Sequence, residues 1–169
     1  MSQVWFTSDL HFGHENIGNF RRGVDDDQDN RRRISEEWIG AVKKRDVVWI
    51  LGDAAFTDDG YKSLIDLPGR KKIALGNHDP FNIETYGQHF ETVVGLHRYK
   101  KAWLSHAPIH PAELRGRKSL HGHVHYKSIE LDSGALDDRY FNCCVENLWS
   151  TVGRAVISLD ELRKLGVFE

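Results

Sequence analysis

Cysteine is nearly absent from this 169-residue chain, which has only the neighbours Cys143 and Cys144. Adjacent thiols supply no disulfide framework, and a chain of this length buries a core without one, so the pair reads as reduced residues of an intracellular protein with no catalytic part. Long apolar runs are also missing. Met1-Ser2-Gln3 passes straight into Val4-Trp5-Phe6 without a basic leader or an extended apolar segment, which predicts a cytoplasmic location and no membrane partner. Nor is there a basic excess: the formal net charge of -2 gives no general ground for nucleic-acid binding, and leaves nucleic acid as a partner only through local clusters. No repeat, Pro-rich linker or low-complexity tract divides the sequence, which predicts one domain over residues 1–169. Periodicity marks no oligomer interface.

What the sequence does have is histidine, ten in all, the side chain that serves most often as a metal ligand and as a proton carrier at neutral pH. Short apolar runs at Val4 to Ser8, Val47 to Leu51, Lys72 to Leu75, Ala102 to Ser105 and Arg154 to Ser158 predict buried strands. Between the first two, Ile34, Trp38, Ile39 and Val42 recur at helical spacing and predict a helix over Asn30 to Lys44, with Ser35, Glu36 and Glu37 suited to its first turn. Shorter helices are predicted over Gly60 to Asp66, before Pro68-Gly69, and over Asp160 to Leu165, behind the cap-like Ser158. The resulting βαβαβ order predicts an α/β class. Arg21 to Arg33, with five arginines and four aspartates, reads as a solvated loop leading into the first helix.

Each predicted strand runs into oxygen or nitrogen ligands. Asp9-Leu10-His11 follows the first, Gly52-Asp53 the second and Gly76-Asn77-His78-Asp79 the third. Ser105-His106 and Gly122-His123-Val124-His125 follow Ala102 to Leu104 and Ser119 to His121. In open α/β sheets functional groups gather beyond the carboxyl ends of strands, so these clusters can converge on one crevice. Carboxylate, amide oxygen and imidazole without thiolate suit manganese, iron, zinc or magnesium, and the number of ligands fits two ions. Asp9/His11 and His123/His125 share a face if the backbone there is extended, but each pair can address one metal or two adjacent ones. Any one motif alone is commonplace; the ordered combination is what points to a metal centre.

That ordered set, Asp-x-His, Gly-Asp, Gly-Asn-His-Asp, a lone His and Gly-His-x-His, resembles the calcineurin-like metallophosphoesterase superfamily over Asp9 to His125. Phe12-Gly13-His14-Glu15-Asn16-Ile17 resembles its small single-domain bacterial and phage branch. The resemblance implies an α/β fold in which a two-sheet β-sandwich is flanked by helices, in four α/β/β/α layers. It implies two divalent ions, manganese first, with iron, zinc, nickel or magnesium as alternatives. Asp9, His11, Asp53 and His125 would hold one ion; Asp53, Asn77, His106 and His123 would hold the other, with Asp53 bridging. A metal-bridging hydroxide would attack a phosphodiester or a small phosphomonoester. His78 is the implied proton donor or phosphoryl contact, with Asp79 orienting it. His14 and His110 are candidate substrate contacts, whereas His89, His97 and His121 read as ordinary packing or surface residues.

The protein serine/threonine phosphatase branch continues its second motif into an Asp-Arg pair. Here the chain reads Gly52-Asp53-Ala54-Ala55-Phe56-Thr57, which disfavours a phosphoprotein substrate and favours a phosphodiesterase or a small-molecule phosphatase, with nucleotide-like esters among the candidate substrates. A nuclease acting on nucleic-acid ends is the alternative activity. A non-catalytic metal-binding scaffold of the same fold is the alternative class, and the complete ligand set disfavours it.

Overall fold

The computed structural model describes residues 2–168. Val4–Thr7 (β1), Val47–Ile50 (β2) and Arg70–Ala74 (β3) pair in parallel, connected by the helices Asp27–Ala41 (α1) and Asp58–Ile65 (α2). Ile83–Gly87 (α3) leads to Thr92–Val94 (β4), which adds a further parallel strand beside β3. Leu96–Tyr99 (β5), Ala102–Ser105 (β6), Lys118–His121 (β7) and Tyr140–Asn142 (β8) make a second sheet in that order, antiparallel at β5/β6 and parallel thereafter. After Val145–Val152 (α4), Ile157–Ser158 (β9) returns to the free edge of β1, antiparallel, and Leu159–Lys164 (α5) closes the order. The architecture is thus α/β: two mixed sheets, β4-β3-β2-β1-β9 and β5-β6-β7-β8, with flanking helices. No helix among the described residues is long and apolar enough to cross a membrane.

The period-2 alternation of the strands divides the core. Trp5, Val48, Ile50 and Ile73 belong to one cluster with Ile34 and Trp38 of α1 and Leu64 of α2. Their neighbours Phe6, Trp49 and Ala74 belong to a second cluster with Leu104 of β6 and Leu120 of β7. Because both faces of the first sheet are covered, its strands read as unbroken apolar runs rather than as alternating ones.

Several boundaries differ from expectation. α1 begins three residues before Asn30, because the Asp26 side chain caps it by accepting from Asp29 N–H at 2.8 Å, and Asp27 and Asp29 favour the positive end of the helix. Ser35, Glu36 and Glu37 therefore sit in mid-helix, and Ile39 is exposed on the outer side. The strand expected over Arg154 to Ser158 is only Ile157–Ser158, and α5 starts on a capping box between Ser158 and Glu161. Arg21 is not part of a solvated loop. It is 1% exposed and its guanidinium donates to Glu146 Oε1 at 2.8 Å, to Asn30 Oδ1 and to the carbonyls of Asp9 and Leu10.

Candidate functional site

Since β3, β2 and β1 are adjacent and parallel, as are β6 and β7, the loops after all of them open at one end of the two sheets. The backbone turns sharply there. Asp9, His11, Asp53, His123 and His125 all have φ between 49° and 71°, a left-handed conformation that costs a non-glycine residue about a kcal/mol or more and is concentrated at functional sites. The paired motifs therefore converge through left-handed turns, not along extended backbone. Two motif glycines are dictated by close approach. A Cβ on Gly76 would lie 2.1 Å from Asp53 Oδ1, and one on Gly122 would lie 1.9 Å from Ser8 Oγ and 2.3 Å from Asp9 Oδ2.

Asp9 is wholly buried. Its Oδ2 accepts from Ser8 Oγ at 2.6 Å, His123 N–H at 2.9 Å and the Cys144 thiol at 3.2 Å. Its Oδ1 has no hydrogen-bond partner, and lies 3.5 Å from His11 Nε2 and 3.6 Å from His125 Nε2. Both His11 ring nitrogens are likewise buried without a partner. The His125 Nδ1–H faces Glu146 Oε1 at 3.2 Å, which leaves the Nε2 lone pair directed at Asp9. Burial pushes the Asp9 carboxyl up, but its contacts with His11, His106 and Ser8 outweigh this and hold it well below the usual range; burial pushes His11 down, toward neutral imidazole.

A second group of acceptors adjoins the first. The His106 Nδ1–H donates to the Leu51 carbonyl at 2.8 Å, which fixes the tautomer and leaves a lone pair on Nε2. That nitrogen lies 2.9 Å from Asn77 Oδ1, 3.2 Å from His123 Nδ1 and 3.4 Å from Asp53 Oδ2. Asp53 Oδ2 is also 3.7 Å from His11 Nε2, so this carboxylate stands between the two groups. Burial disfavours a charged His106, yet its bond to Asp53 and the charges of Asp9 and Asp53 prevail and raise its pKa.

All seven predicted ligands, Asp9, His11, Asp53, Asn77, His106, His123 and His125, are thus brought together. The converging acceptors and the orphaned atoms Asp9 Oδ1 and His11 Nε2 suit divalent cations, since buried polar atoms without partners are otherwise costly. His125, Cys144 and Glu146 also lie close to one another. That group fits an ion poorly, because Glu146 Oε1 already meets Arg21 and His125 and burial drives the Cys144 thiol well above its usual pKa.

His78 sits at the rim with its ring stacked on Phe56, centroids 5.4 Å apart, while its backbone N–H donates to Asp53 Oδ1 at 2.9 Å. Asp79 does not orient it. The Asp79 carboxylate accepts from the backbone N–H groups of Gly76, Asp53 and Ala54 at 2.7–3.0 Å and from Tyr86 Oη at 3.2 Å, and so ties the second motif to the third. Among the described residues no hydrogen bond joins it to His78. His14 reaches the cluster, its ring 5.8 Å from that of His11. His110 does not: it caps a short turn through Ala112 N–H and, with Arg115 and Arg117, lines a separate hollow over the second sheet. Sequence reasoning missed Glu146 and Arg21. A lone glutamate near the start of an unpredicted helix and one arginine among five carry no signal of their own.

The family model for the calcineurin-like phosphoesterases matches residues 2–157. The Gene 66 protein of Mycobacterium phage L5 is 34% identical in an alignment 168 positions long, which covers 76% of this chain and 80% of that protein. An uncharacterized protein of Methanocaldococcus jannaschii is 27% identical over 136 residues, covering 77% and 73%. Among solved structures, a protein of unknown function from Aquifex aeolicus superposes with a TM-score of 0.71 at 25% identity, covering 98% of this chain and all of that one. With the family model spanning nearly the whole chain and its motif residues gathered at one end of the sheets, the protein belongs to the calcineurin-like phosphoesterase family.

Proposed function

We propose that the protein is a metal-dependent phosphoesterase that hydrolyses phosphodiesters or small phosphomonoesters. The observation that carries this reading is the pair of adjoining acceptor groups that share Asp53 and have too few internal donors to satisfy them. Asp9, His11, Asp53 and His125 would hold one divalent ion, and Asp53, Asn77, His106 and His123 the other, manganese being the first candidate. Such ions would neutralise the phosphoryl oxygens and acidify a water for in-line attack, a reaction that is extremely slow unaided.

The chain's own residues supply the rest. Leu51 and Glu146 fix the tautomers that turn His106 Nε2 and His125 Nε2 inward, and Asp79 holds the Asp53 backbone in its strained turn. His78, exposed at the rim, would give a proton to the departing alkoxide as the phosphorus–oxygen bond breaks. Protein purified without chelator and loaded with manganese should hydrolyse bis(4-nitrophenyl) phosphate or 4-nitrophenyl phosphate, the ratio of the two rates selecting the ester class, and His78→Ala should slow the reaction by roughly a hundredfold or more. Turnover that is unaffected by chelator would refute the metal reading, and no turnover of either ester would refute the phosphoesterase one.

A further inference from the structure

Beside the metal-ligand cluster lies a cavity of about 340 Å³ lined by His11, His14, Ile17, Phe20, His125, Tyr126 and Glu146. Two of its walls are large rings left in solvent, Phe20 at 68% and Tyr126 at 51% exposure. Tyr126 is nonetheless held in place: its Oη accepts from Arg22 N–H at 2.8 Å, and the Arg22 guanidinium lies 5.4 Å from the ring centroid. Phe20 meets the edge of His14 at 5.7 Å, and His14 in turn packs against Phe56 at 5.1 Å. Exposed rings fixed in this way act as a preorganised stacking platform, not as core residues out of place.

Behind the cavity wall, two of its lining residues hold polar atoms without partners. Glu146 is 4% exposed and its Oε2 has no hydrogen-bond partner, and the same is true of the buried His14 Nδ1. A planar heterocycle would cover both rings by stacking while leaving a polar edge in water, which a simple alkyl group cannot do. The Arg22 guanidinium, which forms no ion pair with an acidic side chain among the described residues, stands at the outer side of Tyr126 and offers charge to an anionic backbone.

Building on the phosphoesterase reading, we infer that the cavity between Phe20 and Tyr126 receives a nucleobase, so that the ester presented to the adjoining cluster is a nucleotide. The base lies against the two rings, and its phosphate reaches the cluster whose members His11 and His125 border the same cavity.

Equilibrium dialysis of the manganese-loaded protein against adenosine 5′-monophosphate and ribose 5-phosphate tests this without relying on turnover. The nucleotide should bind at least about tenfold more tightly, as base–aromatic stacking predicts. That preference should vanish in F20A/Y126A and persist in the control L136A, which removes an equally exposed apolar side chain elsewhere, 68% accessible. Both rings are solvent-exposed, so the double variant should keep the wild-type melting temperature, and F20Y should restore part of the preference. Nucleotide preference in a protein that hydrolyses no ester would uphold the base site while refuting the catalytic reading. Equal binding of the two probes, or a preference that survives F20A/Y126A, would overturn the inference even if esters are hydrolysed.

Discussion

Asp53→Asn should cut manganese-dependent turnover by about a thousandfold or more, and metal-free protein carrying the substitution should melt no lower than wild type. Asp53 Oδ2 faces both His11 Nε2 and His106 Nε2, at 3.7 and 3.4 Å. An amide is isosteric, and its oxygen can keep the bond from His78 N–H. Its NH2 group, however, sets donors against the neighbouring lone pairs, which relieves the metal-free pocket and removes the charge that an ion requires. Loss of transition-state charge stabilisation commonly costs a hundred- to a thousandfold, and losing a bridging ligand removes the bound ions as well. Kinetics with bis(4-nitrophenyl) phosphate and calorimetric melting in chelator would check both halves. A variant that unfolds would show that Asp53 serves structure first.

Arg21→Ala should destabilise the fold by about 3–5 kcal/mol, the usual cost of leaving a buried charge without its partner. Arg21 and Glu146 have side chains 0% and 2% exposed and meet at 2.8 Å, and the same guanidinium satisfies the carbonyls of Asp9 and Leu10. Its loss strands Glu146 and loosens the turn that carries Asp9. The pH dependence follows from the direction of the Glu146 shift. Burial pushes this carboxyl up, but the bond from His125 and the charge of Arg21 prevail and hold it below its ordinary value. Glu146 thus contributes stability above its unfolded pKa, and that contribution is lost as pH falls through the lower folded one. Without Arg21 the folded pKa rises, so acid unfolding should begin at higher pH. Urea melts of wild type and variant between pH 3 and 7 would show this; a loss below about 1 kcal/mol with an unchanged acid limb would contradict it.

The interior strands were legible because their apolar runs are continuous. β1, β2, β3 and β6 stand, within a residue or two, where Val4 to Ser8, Val47 to Leu51, Lys72 to Leu75 and Ala102 to Ser105 predict them, and β7 covers the run Ser119 to His121 ahead of the last motif. The strands that escaped notice, β4, β5 and β8, all lie at sheet edges, have three or four residues each, and contain no fully buried residue. α4 escaped because Cys144 at its N-cap makes no side-chain capping bond. The convergence of the motif residues could be read because each follows a parallel strand, whose carboxyl ends share one side of the fold. The framework beneath them could not. Arg21 and Glu146 are 125 positions apart, and only the folded chain brings them together to orient His125. Asp79 looked like a partner for its neighbour His78, yet backbone N–H groups from another loop claim its carboxylate, a preference that adjacency in sequence conceals.

The most direct test of the account is the manganese stoichiometry of the chelator-stripped protein, titrated calorimetrically and counted by elemental analysis after dialysis. Two ions per chain, both lost in Asp53→Asn, are expected from acceptor groups that share this carboxylate. A single ion that survives the substitution, or none in the wild type, would contradict the two-metal reading.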